Sequence, residues 1–138
     1  MIAYVDSSVI LRVLLGQPGG LAEWRRIRRG IASALVEVEC LRTLDRLRIV
    51  EGISEADIAL RREAVYRIMG ALEVVEPSRI ILNRAAQPLP TTLGTLDAIH
   101  LATALVWREH SGEEPLLATH DPALGVAARS VGLTVIGC

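Results

Sequence analysis

The chain has 138 residues, 51 % hydrophobic and 22 % charged, which suits one folded domain and excludes a disordered or collagen-like polypeptide. No apolar run approaches the roughly 18–20 residues of a membrane span. Met1–Val5 leads into Asp6 without the basic start or long apolar core of a secretion signal, so a cytoplasmic protein is expected, with Cys40 and Cys138 as reduced thiols. The formal net charge is −1 and aromatics make up 3 %, which argues against a polycation that coats nucleic acid and against a base-stacking platform. All fifteen basic residues are arginine, eight against five acids up to Arg48 and seven against eleven beyond it. Arginine favours bidentate contact with carboxylate or phosphate.

In chain order, short β-branched runs alternate with longer helical ones, predicting an α/β fold with a central, mainly parallel sheet flanked by helices in one domain, 1–138. Ile2–Val5 is the first strand. Asp6-Ser7-Ser8 caps a helix towards Leu15, which Gly16-Gln17-Pro18-Gly19-Gly20 breaks. Leu21–Arg29 is expected as a short basic helix, Ile31–Ser33 as a short strand, and about Ala34–Val50 as a long helix. Ser54 opens another helix with acidic residues in its first turn, running to about Leu72. Val74-Val75 forms a strand core that ends at Pro77, and Ser78–Gln87 a helix. Pro88-Leu89-Pro90 makes an extended linker. Thr95–His110 is a helix with Thr95 or Leu96 near its N-cap. Pro115–Ala118 is a strand, Pro122–Val131 a helix and Leu133–Ile136 a last strand.

Ligands of a parallel α/β sheet gather at the carboxyl ends of its strands. Asp6 and Asp121 each follow a strand directly, where either also suits an N-cap. Asp97 stands near the start of Leu96–Leu105, a segment apolar nearly all round and therefore expected to be buried. A buried carboxylate needs a partner, either His100 one turn later or, better, a metal ion. On the long helix Glu39 shares a face with Arg42, Thr43 and Arg46, whereas Glu37 does not. An ordinary Glu39–Arg42 pair, contributing ~0.2–0.5 kcal/mol, accounts for that stripe equally well. Several carboxylates without a Cys/His framework suit Mg²⁺ or Mn²⁺ over Zn²⁺, and such sites commonly hold phosphates. Neither a G-x-x-x-x-G-K-S/T phosphate loop nor a G-x-S-x-G elbow is present.

Four segments, in order, resemble the PIN-domain ribonucleases, specifically the VapC toxins of type II toxin–antitoxin modules. Val5-Asp6-Ser7-Ser8 is similar to the family's V-D-S/T-S strand end. Ser33–Arg42 is similar to its S-x-L…E-x-L-R segment, which selects Glu39 over Glu37. Leu96–Ala104 matches L-D-A-I/L-H-L-A-T-A, the most specific of the set. Thr119–Leu124 is similar to T-x-D-x-x-L. The resemblance spans Met1 to Cys138 and implies a PIN-like fold and a Mg²⁺-dependent endoribonuclease. Asp6, Glu39 and Asp97 would be its main acids, Asp121 would complete the quartet, and Ser7 and Thr119 would supply hydroxyls. It further implies a homodimer and a cognate VapB-like antitoxin whose C-terminal tail blocks the site.

The same residues leave two other readings open: a PIN-fold interaction module that does not cleave, and a PIN nuclease of RNA processing outside toxin–antitoxin systems. A small-molecule phosphatase would call for D-x-D, and Ser8 stands at the second position. His100 is expected to hydrogen-bond within the fold, His120 to be exposed, and Arg25-Arg26 and Arg28-Arg29 to contact RNA phosphates, acidic partner residues or solvent.

Overall fold

Five short strands, β1 (Ile2–Val5), β2 (Arg29–Ser33), β3 (Glu73–Val75), β4 (Leu116–Ala118) and β5 (Val135–Ile136), pair in the order β3-β2-β1-β4-β5. Every neighbouring pair is parallel. Parallel neighbours need crossovers instead of hairpins. The crossovers contain α1 (Ser7–Leu14), then α2 (Leu35–Glu51) with α3 (Glu55–Ala71), then α4 (Arg79–Ala85) with α5 (Thr95–Ser111), and finally α6 (Pro122–Ser130). This computed structural model describes residues 1–138.

Successive strand side chains point to opposite faces, and both faces are covered, which is why the strands read as continuous apolar runs. Ala3, Val5, Ala32 and Ala118 form one core with Val9, Ile10, Val36, Cys40, Leu44 and Val65 from α1, α2 and α3. Tyr4, Ile31 and Leu117 form the other with Leu101, Leu105 and Trp107 of α5 and Leu124 and Ala127 of α6. α5 is buried through its middle, Ala98 and His100–Trp107, as its composition predicts, but its first turn is not: Leu96 is exposed and Asp97 half-buried. No helix is long and apolar enough to cross a membrane.

The helices start where side-chain oxygens meet their first free N–H groups. Ser54 accepts from Asp57 N–H, Ser78 from Ile81 N–H, Asp6 from Val9 N–H, and Asp121 from Ala123 and Leu124 N–H. The cap of α5 is Gly94, with Thr95 as the first helical residue. α2 and α5 stop at Gly52 and Gly112, whose φ values of 63° and 71° suit glycine.

The expected basic helix over Leu21–Arg29 is not formed. Only a 3-10 turn at Trp24–Arg26 appears, and Arg29 already belongs to β2. Tertiary pairing overrides local propensity here: Ile2 pairs with Arg29 and Ala3 with Gly30, which requires extended backbone. Gly30 also admits Leu72, since a Cβ there would lie 2.5 Å from Leu72 Cδ2. The Arg29 guanidinium pairs with Glu73 at 3.0 Å and Glu113 at 2.7 Å and lies over the Trp107 ring. The indole Nε1–H donates to Glu73 at 2.9 Å. This clamp ties β2, β3 and the end of α5 together at the amino-terminal edge of the sheet, and the indole N–H and then Arg29 hold the Glu73 carboxyl below its usual range.

Candidate active site

The strand order reverses direction between β1 and β4, and the crevice at their carboxyl ends is where such a sheet receives a ligand. Asp6 leaves β1 there, its N–H donating to Ala118 O of β4 at 3.2 Å. Its side chain is 3 % exposed. Oδ1 accepts from Ser8 Oγ–H and from Val9 N–H, and Oδ2 accepts from Thr119 Oγ1–H at 2.6 Å. Burial raises the Asp6 pKa, and these three donors oppose the rise. Thr119 in turn accepts from Asp121 N–H at 2.9 Å, so one buried hydroxyl couples the acid after β1 to the acid after β4.

Glu39 reaches the crevice from the first turns of α2. Its Oε1 accepts from His100 Nε2–H at 2.6 Å and its Oε2 from Ser7 Oγ–H at 3.3 Å. His100 Nδ1 lies 2.7 Å from the Tyr4 hydroxyl. In a neutral imidazole whose Nε2–H faces Glu39, Nδ1 can only accept, so Tyr4 donates and fixes the tautomer. Tyr4 is fully buried and its pKa is raised, chiefly by desolvation, which keeps that proton on the phenol. Tyr4→Phe would leave Nδ1 without a partner in a dry site. The expected cost is about 1–2 kcal/mol by urea denaturation, together with mixed imidazole tautomers in ¹⁵N spectra of the folded chain. An unchanged denaturation midpoint would remove Tyr4 from this role.

Asp97 faces Asp121 within hydrogen-bonding reach. Its pKa is pushed up to about 6, first by burial, then by the Asp121 carboxylate, with Asp6 adding to the rise and His100 opposing it. Two carboxyls held face to face are relieved by a shared proton or by a cation. The donors are oxygens throughout, and the one histidine among them is bound to Tyr4 and Glu39, so the chemistry fits a hard cation such as Mg²⁺ or Mn²⁺. No three of the His, Cys, Asp and Glu side chains close on a common point. The acids are gathered round the crevice, not clasped.

Asp6, Ser7, Glu39, Asp97, Thr119 and Asp121 thus all stand at this end of the sheet. One partner differs from the sequence reading: His100 pairs with Glu39 instead of Asp97. Ser7 and Thr119 supply hydroxyls to Glu39 and Asp6, and Ser8 adds a further one to Asp6. Tyr4 and Ser8 were not read as site residues. A tyrosine in an apolar strand looks like core, and Ser8 was legible only as the second hydroxyl after a capping Asp. His120, expected at the surface, is half-buried, its Nδ1–H donating to Gly137 O at 2.9 Å because the terminal residues fold over it. Arg28 lies at the amino-terminal end of the sheet, away from the acids, and it lines with Arg25 a pocket that contains none of them. The Arg28 N–H bonds to Met1 O.

The family model of the PIN domain matches residues 3–129. Ribonuclease VapC46 of Mycobacterium tuberculosis is 32 % identical over 136 residues, covering 96 % of this chain and 95 % of its own. Ribonuclease VapC35 of the same organism is 32 % identical over 140 residues, covering 96 % and 94 %. Among solved structures, FitAcB from Neisseria gonorrhoeae superposes with a TM-score of 0.72 at 17 % identity, covering 98 % of this chain and 96 % of that one. A toxin–antitoxin complex from Klebsiella pneumoniae gives 0.69 at 15 %, covering 97 % and 95 %. VapBC2 from Rickettsia felis, bound to a promoter DNA fragment, gives 0.66 at 12 %, covering 98 % and 97 %.

Proposed function

The chain belongs to the PIN domain family, and from that premise we propose that it is a metal-dependent endoribonuclease acting as the toxin of a type II toxin–antitoxin pair in the cytoplasm. The observation that carries the reading is the gathering of acids in the crevice where the strand order reverses, with Asp6 and Asp121 joined through the Thr119 hydroxyl and Glu39 held by His100 and Ser7. The relatives' names, VapC ribonucleases, support the reaction class. The structural neighbours, toxin–antitoxin complexes among them, support an antitoxin as partner. An RNA substrate and a homodimer complete the proposal.

Asp6, Glu39, Asp97 and Asp121 would hold Mg²⁺ or Mn²⁺, which when bound would lower the pKa of an attacking water and offset charge on the phosphoryl oxygens. The chain's own part is to present carboxylates in fixed directions. Thr119 and Ser8 hold Asp6. The Tyr4–His100 pair and Ser7 hold Glu39. A cation seated there would offset the repulsion that the Asp121 carboxylate exerts on Asp97.

Incubating the purified chain with total RNA in Mg²⁺, in Mn²⁺ and in EDTA tests the proposal. Cleavage is expected with metal only, leaving 5′-phosphate and 3′-hydroxyl ends. Equal cleavage in EDTA would overturn it, as would absence of both cleavage and calorimetric metal binding.

A further inference from the structure

A groove of about 360 Å³ opens from the acidic crevice, lined by Ser7, Leu35, Glu39, Arg42, Arg46 and Leu96 among others. Resting on the nuclease reading, we propose that Arg42 and Arg46 form a phosphate track that seats the backbone of the RNA strand beside the cutting site.

The pairing of the fifteen arginines singles these two out. Arg29, Arg48, Arg67, Arg84 and Arg108 are held in ion pairs. Arg12, Arg61 and Arg129 donate to backbone carbonyls, and Arg62 to the Tyr66 hydroxyl. Of those left without a side-chain partner, Arg25 and Arg28 line a pocket that contains no acid of the site, and Arg26 and Arg79 line no groove. Only Arg42 and Arg46 line a groove that also contains an acid of the site.

Their freedom has a cause in the fold. Glu39 is three residues before Arg42, the spacing of an ordinary helical ion pair, yet no such pair forms. The Glu39 oxygens are turned to His100 and Ser7, so the guanidinium beside them stays exposed and unneutralised. Arg46 follows one turn later on the same face, with Cβ atoms about 5–6 Å apart. Two free, fork-shaped donors in a row suit consecutive phosphates. The groove walls carry exposed apolar side chains, Val38 at 56 % and Leu96 at 49 %, which offer surface to ribose and base. The track runs directly into the crevice that the scissile phosphate must enter, which favours a nucleic-acid strand over an acidic peptide.

Binding of a fluorescein-labelled single-stranded RNA of mixed sequence, measured in EDTA between 25 and 200 mM salt, tests the track apart from cleavage. Each phosphate contact on a single strand contributes about 0.7 to the salt slope. Arg42→Ala/Arg46→Ala is therefore expected to flatten the slope by about 1.4. Between 50 and 200 mM salt its affinity should fall about sevenfold less than the wild type's. Arg42→Lys/Arg46→Lys should keep most of the slope, Arg25→Ala/Arg26→Ala should keep all of it, and all variants should melt like the wild type. Metal affinity by calorimetry should be unchanged in the Arg42/Arg46 variants. The proposal is overturned if the wild type does not bind RNA at 25 mM salt, if the Arg25/Arg26 variant loses as much slope, or if a polyglutamate peptide of equal charge displaces the RNA as well as unlabelled RNA does. A track that binds in a chain that never cleaves would overturn the nuclease reading and leave the track standing.

Discussion

Asp97→Asn is expected to lower metal-dependent RNA cleavage by about 10²-fold or more while making the metal-free chain more stable. Folded, the Asp97 carboxyl keeps its proton to about pH 6, against 3.8 for an ordinary Asp. Between those values the folded chain carries more protons than the unfolded one, so stability falls as pH rises from about 4 to 6 and stays at the lower level above. Asn has no proton to lose and removes that fall. Asp97 is partly solvated, and screening reduces the gain at pH 7.5 to about 1 kcal/mol, or about 3–5 °C in Tm for a chain of this size. In excess Mg²⁺ the order should reverse, because only the wild type keeps a full set of ligands and binding stabilises the folded state. Metal affinity of the wild type should weaken as pH drops below about 6, where the proton competes for Asp97. Melts at pH 4.5 and 7.5, with Mg²⁺ and with EDTA, check each sign. Wild-type cleavage by the variant, or a lower Tm in EDTA at pH 7.5, would exclude Asp97 from the role.

Thr119→Val is expected to cost about 3 kcal/mol and lower Tm by about 10 °C. The substitution nearly preserves shape, so the effect isolates the hydroxyl. That oxygen is fully buried, donates to Asp6 Oδ2 at 2.6 Å and accepts from Asp121 N–H at 2.9 Å. Its loss leaves Asp6 Oδ2 and the Asp121 N–H without their partner together, and a charge-assisted bond is among the stronger ones. Asp6 also loses a donor that opposes its raised pKa, so cleavage by the variant should need a higher pH than the wild type's. Thr119→Ser keeps both bonds and should recover more than half of the lost stability. A Thr119→Val chain that melts within a degree of the wild type would show that the bridge contributes nothing.

What could be read from the sequence was what depends on neighbours in the chain. The strand ends carrying Asp6 and Asp121 follow from apolar runs stopped by capping residues, and the burial of α5 follows from a segment without a polar face. What could not be read depends on which turn of one element lies against another. His100 has Asp97 as its sequence neighbour, but the packing of α5 across the sheet sets it between Tyr4 and Glu39. Once Glu39 serves His100, the Glu39–Arg42 pair that helical spacing allows is lost. The segment before β2 has helical propensity, yet a sheet edge that needs Arg29 and Gly30 extended decides its shape.

The clamp around Trp107 has a practical corollary. Trp24 and Trp107 are the only tryptophans. Trp24 sits in the turn just before β2, and Trp107 beside Arg29 and Glu73 at the starts of β2 and β3. The Trp107 indole therefore stands at the strand starts, across the sheet from the carboxylates, whereas Trp24 follows by one turn Leu21, which packs beside Gly137. In a Trp24→Phe chain, intrinsic fluorescence becomes an internal reference that registers loss of the strand starts and is expected to stay silent to an ion or oligonucleotide seated at the strand ends. A titration that alters indole emission thus reports a displacement transmitted through the strands, not the docking event itself.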